Sequence, residues 1–135
     1  MAIELRPIGH VESSLTDPSS APRQPDEGAP SASLVLEPEY VAALAGIEAG
    51  QRLVVLTWLD RADRGVLRTH PRGDTSRPPA GVFATRSPDR PNPIGLHAVH
   101  VVAVAGNTIR VAHLEALDGT PVLDLKPDLG PVDLR

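Results

Sequence analysis

The side chains best suited to chemistry in this 135-residue chain lie in one proline-rich loop, within residues 81–96. Prolines stand at positions 88, 91 and 93, and each one fixes φ and removes a backbone donor. Each proline also pushes the residue before it toward extended geometry. The stiff loop carries Arg86, Arg90 and Asn92 and ends at Gly95, where the missing side chain lets the backbone approach a partner closely. A rigid, polar loop of this kind indicates a preorganised binding site.

A second polar group of residues lies near the C-terminal end of the sequence. The run Asp118-Gly119-Thr120-Pro121 alone predicts a turn. Asp124 and Lys126 follow in a segment with the pattern of a strand, and strand residues two apart share a face. Two alternatives therefore fit this spacing: a structural ion pair between them, or two charges that line a pocket.

Charge is unevenly distributed along the chain. The net charge is −4, but residues 61–90 hold seven arginines and three aspartates and so carry +4. Such a basic segment can bind phosphate locally; the alternative is that arginine is simply the chain's preferred surface cation. Within the segment, His70, Arg72 and Arg77 are candidates for contact with a substrate phosphate, with a solvated loop as the alternative. Aromatic residues make up only 2% of the chain, too few for a base-stacking platform.

Composition and spacing exclude several classes of site. The absence of cysteine excludes disulfides, thiolate zinc sites and cysteine nucleophiles. His97 and His100 are three residues apart, so on a strand they point to opposite faces, and we predict no metal site. Neither a G-x-G-x-x-G run nor a Walker lysine loop is present. No segment has the length of a membrane-spanning helix and the N-terminus does not resemble a signal peptide, so we expect a cytoplasmic protein with no membrane partner.

The elements that must position these side chains are mostly short strands. Apolar and turn patterns predict strands at residues 3–11, 33–36, 53–59 (an uninterrupted apolar run, hence a buried strand), 96–104, 108–114 and 121–125. Pro38 favours the first turn of a short helix that ends near Gly46, and Gly106-Asn107 predicts a hairpin turn. Residues 13–32 have the composition of a long loop. Together they predict a mostly β fold, a single-sheeted antiparallel β-barrel with one or two short helices.

The proline-rich loop, the run Pro22-Arg23-Gln24 and residues 118–127 together resemble the TrmO/TsaA-like (YaeB-type) family. The resemblance implies an antiparallel β-barrel of the TsaA-like type that forms a homodimer and uses S-adenosyl-L-methionine as its cofactor. It also implies methylation of N6 of threonylcarbamoyl-adenosine at position 37 of tRNA. Residues 1–135 are then expected to form one TsaA-like domain, without the C-terminal extension domain of the long bacterial members.

The resemblance also implies a cofactor site built from the motif residues. Arginine suits the cofactor's carboxylate because its planar fork binds two oxygens, and main-chain groups at Gly95 and Leu96 suit the adenine edge. Asp118 or Asp124 suits the ribose hydroxyls or the ammonium group. The candidate cofactor-binding residues are Pro22, Arg23, Gln24, Arg86, Ser87, Arg90, Asn92, Ile94, Gly95, Leu96, Asp118, Gly119, Thr120, Asp124 and Lys126.

The catalytic group is left open by the sequence. Asn92 is the candidate for a contact with the acceptor nitrogen, and an Asx-type bond within its own loop is the alternative. Methyl transfer needs no metal and no covalent intermediate, so positioning should supply most of the acceleration, about 7–11 kcal/mol for well-oriented groups. Two other functions remain possible: methylation of a small-molecule acceptor, and non-catalytic binding of S-adenosyl-L-methionine.

Overall fold

Six strands close into an antiparallel barrel in the computed structural model, which describes residues 1–16 and 31–131. The eight strands of the described chain are β1 (Gly9–Glu12), β2 (Ala32–Leu36), β3 (Arg52–Trp58), β4 (Arg68–Thr69), β5 (Ala80–Gly81), β6 (Ile94–Ala105), β7 (Thr108–Ala112) and β8 (Pro121–Pro127). The order around the barrel is β1-β2-β7-β6-β3-β8, and β8 pairs with β1 to close it. Strands β4 and β5 pair with each other outside the barrel.

Three 3-10 helices accompany the strands in the described residues. The longest, η1 (Pro38–Leu44), follows β2 and buries Leu44, and Pro38 stands in its first turn as the sequence predicts. The helices η2 (Pro71–Gly73) and η3 (Val82–Ala84) belong to the excursion between β3 and β6 that also contains β4 and β5. This excursion includes the whole basic segment.

The barrel interior is filled by alternate residues of each strand. In β6, Gly95, His97, Val99 and Val101 are buried, while the residues between them are exposed. The same alternation runs along β3, so the strand predicted at residues 53–59 forms at Arg52–Trp58, with one face buried and the other half-buried. A barrel wall has one inner and one outer face, so each strand buries every second side chain. Full burial of an aliphatic side chain contributes about 1.5–3 kcal/mol.

Strands β6 and β7 form the predicted hairpin. Ala105 pairs with Thr108 across the two-residue turn Gly106-Asn107, and Gly106 has a φ of 59°. Glycine at the first turn position accepts this φ without strain, which suits the twist of a hairpin. The pairing also skips Val102 in β6 and Leu123 in β8, and such bulges bend a strand as barrel closure requires.

The barrel, the helix after Pro38 and the other strand positions confirm the predicted mostly β fold. The strand predicted at residues 3–11 was wrong in its first half, because strand pairing begins only with the bond from the Ile8 N–H to the Val122 carbonyl. Pro7 lacks a donor and interrupts the alternation, and Ile3 and Leu5 are 76% and 54% exposed. Among the described residues, no helix is long and apolar enough to cross a membrane.

Candidate functional site

Two of the sequence motifs meet at one end of the barrel. Trp58, the last residue of β3, pairs with Ile94 at the start of β6, and Thr57 pairs with Val122 near the start of β8. The proline-rich loop before β6 and the turn at residues 118–120 before β8 therefore lie at the same end. The run Pro22-Arg23-Gln24 lies outside the described residues.

The turn at residues 118–120 is anchored to the segment that follows β1. The Ser13 N–H donates to Asp118 Oδ1 at 3.0 Å, and the Asp118 N–H donates to the Leu15 carbonyl at 2.6 Å. Gly119 has a φ of 84°, a conformation that favours glycine, and Thr120 is buried. One carboxylate oxygen of Asp118 thus supports the fold, and the residue itself is exposed.

Arg90 organises the proline-rich loop from within. Its guanidinium donates to the carbonyls of Ser87 (2.7 Å), Val82 (2.6 Å) and Thr85 (2.5 Å). Asp89 does not pair with it; instead Asp89 Oδ1 accepts the N–H of Asp63 at 2.8 Å. Three charge-assisted bonds to carbonyls fix the loop's path, so Arg90 contributes rigidity before it contributes any charge to a ligand.

Arg64 braces the same loop from outside, a role that the sequence analysis missed. Its Nε donates to the Pro91 carbonyl at 2.6 Å and its Nη2 donates to Asn92 Oδ1 at 3.0 Å. Its guanidinium carbon lies 5.1 Å from the centre of the Trp58 ring, in cation–π range. Because Arg64 occupies the amide oxygen of Asn92, the amide nitrogen of Asn92 is the end left to donate to a ligand.

Arg86 is the loop's available cation. Its side chain is exposed and makes no ion pair or hydrogen bond within the described residues. Ser87, beside it, receives a backbone anchor, since its N–H donates to Thr85 Oγ1 at 3.2 Å. An arginine on a rigid loop, with its fork unoccupied, suits a carboxylate or a phosphate.

The register of β3 and β6 leaves main-chain groups of β6 unpaired at this end. The Leu59 N–H donates to the Pro93 carbonyl and the Val101 N–H to the Gln51 carbonyl, both at 2.8 Å. Antiparallel pairing alternates, so odd-numbered residues of β6 direct their main-chain groups toward β3 and even-numbered residues toward the other edge.

Strand β7 covers that other edge only from His100 onward, where His100 pairs with Ala112. The N–H and C=O of Leu96 and Ala98 therefore lie on an edge that no strand of the described chain covers. Gly95, by contrast, uses its main-chain groups in the pair with Thr57. This short stretch, Ile94 to Val99, is called the open edge below.

The outer face of β8, β3 and β6 adjoins the open edge. Cross-strand partners share a face, so Asp124, Leu56 and Leu96 form one outward row. Ile94 and Leu96 are 46% and 49% exposed, an apolar surface next to the loop. Asp124 and Lys126 form an ion pair at 3.0 Å with both side chains about half exposed, which is compatible with either alternative for these two residues.

Beneath the same end, the barrel interior holds a buried polar chain. Thr57 Oγ1 lies 2.7 Å from His97 Nε2, and His97 Nδ1 lies 2.5 Å from Glu115 Oε1. His97 is thus a structural histidine that points inward, while His100 points outward, as their spacing predicts. No three His, Asp or Glu side chains in the described chain lie close enough together to hold a metal ion.

In the loop that contains the candidate phosphate-binding residues His70, Arg72 and Arg77, polar groups of the loop bond to one another. His70 Nδ1 lies 2.9 Å from the Arg77 carbonyl, and Arg77 Nε lies 3.5 Å from Asp74 Oδ2. Hydrogen bonds from the hydroxyl and N–H of Ser76 hold the pKa of the Asp74 carboxyl below its usual value. The side chain of Arg72 lies outside the described part of the structure. This loop belongs to the β4–β5 excursion, away from the barrel wall.

Known proteins resemble the chain over nearly its whole length. A family model for the tRNA-methyltransferase O N-terminal domain matches residues 10–134. A probable S-adenosyl-L-methionine-binding protein of Methanothermobacter thermautotrophicus is 43% identical over 133 residues, 98% of this chain and 95% of that protein. An S-adenosyl-L-methionine-binding protein of Archaeoglobus fulgidus is 43% identical over 122 residues, 90% of this chain and 86% of its own.

A solved structure shares the fold as well. The crystal structure of TrmO from Pseudomonas aeruginosa superposes with a TM-score of 0.74 at 34% identity, over 94% of this chain. The chain spans 56% of the length of that solved chain. These matches confirm the resemblance that the three motifs indicate.

Proposed function

The chain belongs to the tRNA-methyltransferase O N-terminal domain family, and from that membership we propose that it binds S-adenosyl-L-methionine and transfers the cofactor's methyl group. The bound cofactor supplies an electrophilic methyl group on a sulfonium. The protein's task is then to hold the cofactor and to orient the acceptor in line with the departing sulfur. The observation that carries the proposal is the open edge of β6 beside a rigid loop that presents the exposed side chain of Arg86.

The open edge suits the adenine ring. One main-chain donor and one acceptor from Leu96 complement the N1 acceptor and the N6 amino donor of adenine. The exposed side chains of Ile94 and Leu96 provide apolar surface beside those groups. Because the main-chain groups of Gly95 are hydrogen-bonded to β3, we assign the adenine contacts to Leu96.

Charged groups flank this surface and suit the polar parts of the cofactor. Arg86 is proposed to bind the carboxylate with both arms of its guanidinium. Asp124 is proposed to bind the ammonium group or the ribose hydroxyls. Its pair with Lys126 is half exposed and such pairs contribute little stability, so exchanging Lys126 for a ligand costs little.

The cofactor proposal predicts a defined effect of Arg86→Ala on binding. We expect calorimetric titration of the purified protein with S-adenosylhomocysteine to show binding that weakens about tenfold to a hundredfold in the variant, the value of a charge-assisted hydrogen bond. Arg110→Ala, which removes an exposed arginine from β7, is the matched control and should leave the affinity unchanged. Absence of binding by the folded wild-type protein would overturn the proposal.

The adenine assignment predicts discrimination against hypoxanthine. S-inosylhomocysteine presents a donor at N1 and an acceptor at position 6, the reverse of adenine, so both contacts with Leu96 become repulsive. We expect it to bind at least tenfold more weakly than S-adenosylhomocysteine, since two buried hydrogen bonds are lost. Equal affinity for the two compounds would mean that the open edge does not read the base.

For the methyl acceptor, we propose N6 of threonylcarbamoyl-adenosine at position 37 of tRNA. Two facts support this choice: the description of the family, and the basic segment that leads into the proline-rich loop. The exposed amide of Asn92 is proposed to orient the acceptor, with its nitrogen as donor. A small-molecule acceptor is the alternative, and the net charge of −4 favours it.

We further propose that the protein acts as a homodimer. Phe83 and Leu67 are 82% and 65% exposed, and the backbone N–H of Val82, the residue before Phe83, donates to the Leu67 carbonyl. Large exposed side chains next to a site are typical of an interaction surface. Light scattering during size-exclusion chromatography should give a dimer mass, and Phe83→Ser should shift it toward the monomer mass.

A further inference from the structure

Three side chains form a continuous chain of hydrogen bonds inside the barrel, directly under the open edge. Thr57 comes from β3, His97 from β6 and Glu115 from the segment between β7 and β8. Thr57 is 0% and His97 is 4% exposed. Buried polar groups cost stability unless they are hydrogen-bonded. The hydrogen bonds among these three side chains therefore offset the cost of burying them.

The carboxylate of Glu115 determines the direction of these bonds. An ionised carboxylate only accepts, so His97 Nδ1 carries the proton and donates to it. In the neutral imidazole, His97 Nε2 is then the acceptor for the Thr57 hydroxyl. Glu115 Oε2 is buried without a hydrogen-bond partner in the described chain, so the contact with His97 is the one that orients this carboxylate.

The order hydroxyl, imidazole, carboxylate is the order of a nucleophilic triad, but burial argues against that role. The Thr57 side chain is wholly enclosed, so a substrate cannot reach its oxygen. The oxygen instead lies on the side of Gly95 where a side chain would stand. A Cβ on Gly95 would overlap Thr57 Oγ1 and would lie 2.6 Å from His97 Nε2. The hydrogen bond between Thr57 and His97 therefore occupies the space that a side chain at position 95 would need.

We propose that His97, oriented by Glu115, is a positioning residue for cofactor recognition. Its bond to Thr57 holds the backbone at Gly95, and so fixes the N–H and C=O of the next residue, Leu96, on the open edge. The inference rests on the proposed function, because it assigns the adenine contacts to Leu96. It also explains why the proline-rich loop must end in glycine at position 95.

Three variants distinguish the hydrogen bond between Thr57 and His97 from the one between His97 and Glu115. Thr57→Val removes the hydroxyl at nearly constant shape. His97→Asn keeps an N–H near the position of Nδ1, for Glu115, but loses the acceptor for Thr57. His97→Gln places a carboxamide oxygen near the position of Nε2 and so keeps the acceptor for Thr57. His100→Asn, in the same strand but on the outer face, is the matched control.

We expect Thr57→Val and His97→Asn each to weaken S-adenosylhomocysteine binding about tenfold, the effect of one buried hydrogen bond. The double variant should be no weaker than either single one, because both remove the same bond. His97→Gln should regain most of the affinity, and His100→Asn should bind as the wild type does. Thermal unfolding of each variant, followed in parallel, reports its stability separately from its affinity.

Wild-type affinity in folded Thr57→Val and His97→Asn would overturn the proposal, even if both variants melt at lower temperature, because a purely structural role moves stability alone. If the wild-type protein binds no S-adenosylhomocysteine, the proposed function fails first. Amide hydrogen exchange of Gly95 then decides the positioning role: faster exchange in Thr57→Val, with no change in His100→Asn, supports it, and unchanged exchange overturns it.

Discussion

At the scale of single residues, the site is arranged by arginines that contact carbonyl groups. Arg90 holds three carbonyls of its own loop, and Arg64 holds the Pro91 carbonyl from a neighbouring segment. Prolines remove donors from a loop but leave every carbonyl in need of a partner. A proline-rich loop therefore needs donors from side chains, and arginine supplies several in one rigid group. Arg90 and Arg64 thus hold the loop, and the exposed Arg86 is the arginine of the loop that we propose for ligand binding.

The brace from Arg64 gives a prediction at this scale. We expect Arg64→Ala to weaken S-adenosylhomocysteine binding by about threefold to tenfold, because two exposed hydrogen bonds that hold Pro91 and Asn92 are lost. Arg61→Ala is the matched control, since among the described residues Arg61 bonds the Thr16 carbonyl and not the loop. Calorimetry measures both affinities. If Arg64→Ala binds as tightly as Arg61→Ala, the loop keeps its shape without the brace.

Neither Arg64 nor Glu115 could have been identified from the sequence as part of the site. Arg64 contacts residues 27 and 28 positions away, and Glu115 contacts a histidine 18 positions away. Such partners are brought together by strand register, and no local spacing signals them. The motif residues of the loop were found because prolines, arginines and glycine so close together constrain the backbone by themselves.

At the scale of elements, the alternation of apolar residues and the turns beside it determine which strands can be predicted from the sequence. Strands with a clear turn beside them, such as β6 and β7 around Gly106, were predicted correctly. The strand predicted at residues 3–11 was too long at its N-terminal end, because the apolar pattern does not show that Pro7 lacks the N–H needed for strand pairing. The open edge of β6 was not predictable, since it depends on β7 being shorter than β6 and on a bulge at Val102.

Two glycines in the barrel give a paired prediction at this scale. A Cβ on Gly9 would lie 2.8 Å from the Cα of Leu36, between backbones that cannot move apart without opening the β1–β2 pair. Gly106 has open space around it, so an added Cβ would meet no neighbouring atom. The cost of a substitution there comes from its positive φ, which disfavours a side chain. We expect Gly106→Ala to cost about 1 kcal/mol of unfolding free energy and Gly9→Ala to cost more than about 3 kcal/mol.

Chemical denaturation measures both glycine variants. Gly65→Ala, at a surface glycine without a positive φ, is the control and should change stability little. An equal cost at positions 9 and 106 would show that the β1–β2 pair can yield, and that backbone contact at Gly9 is not what closes the barrel.

At the scale of the whole molecule, charge separates the two proposed acceptors. The body of the protein is acidic and the segment at residues 61–90 is basic, so we expect a polyanion to bind at that segment. Phosphate contacts release counterions, so the affinity for tRNA should fall steeply with salt, roughly tenfold or more between 50 and 200 mM if three phosphates are neutralised. A small, uncharged acceptor should show almost no such dependence.

We therefore expect filter binding with tRNA to give a steep, linear plot of log affinity against log salt. Arg77→Gln should reduce the slope by about one, because one phosphate contact is removed, whereas Arg110→Gln, outside the basic segment, should leave it unchanged. S-adenosylhomocysteine binding in the same buffers reports any general effect of salt on the site. A flat plot for tRNA, with cofactor binding intact, would exclude the polyanion and make the small-molecule acceptor the working hypothesis.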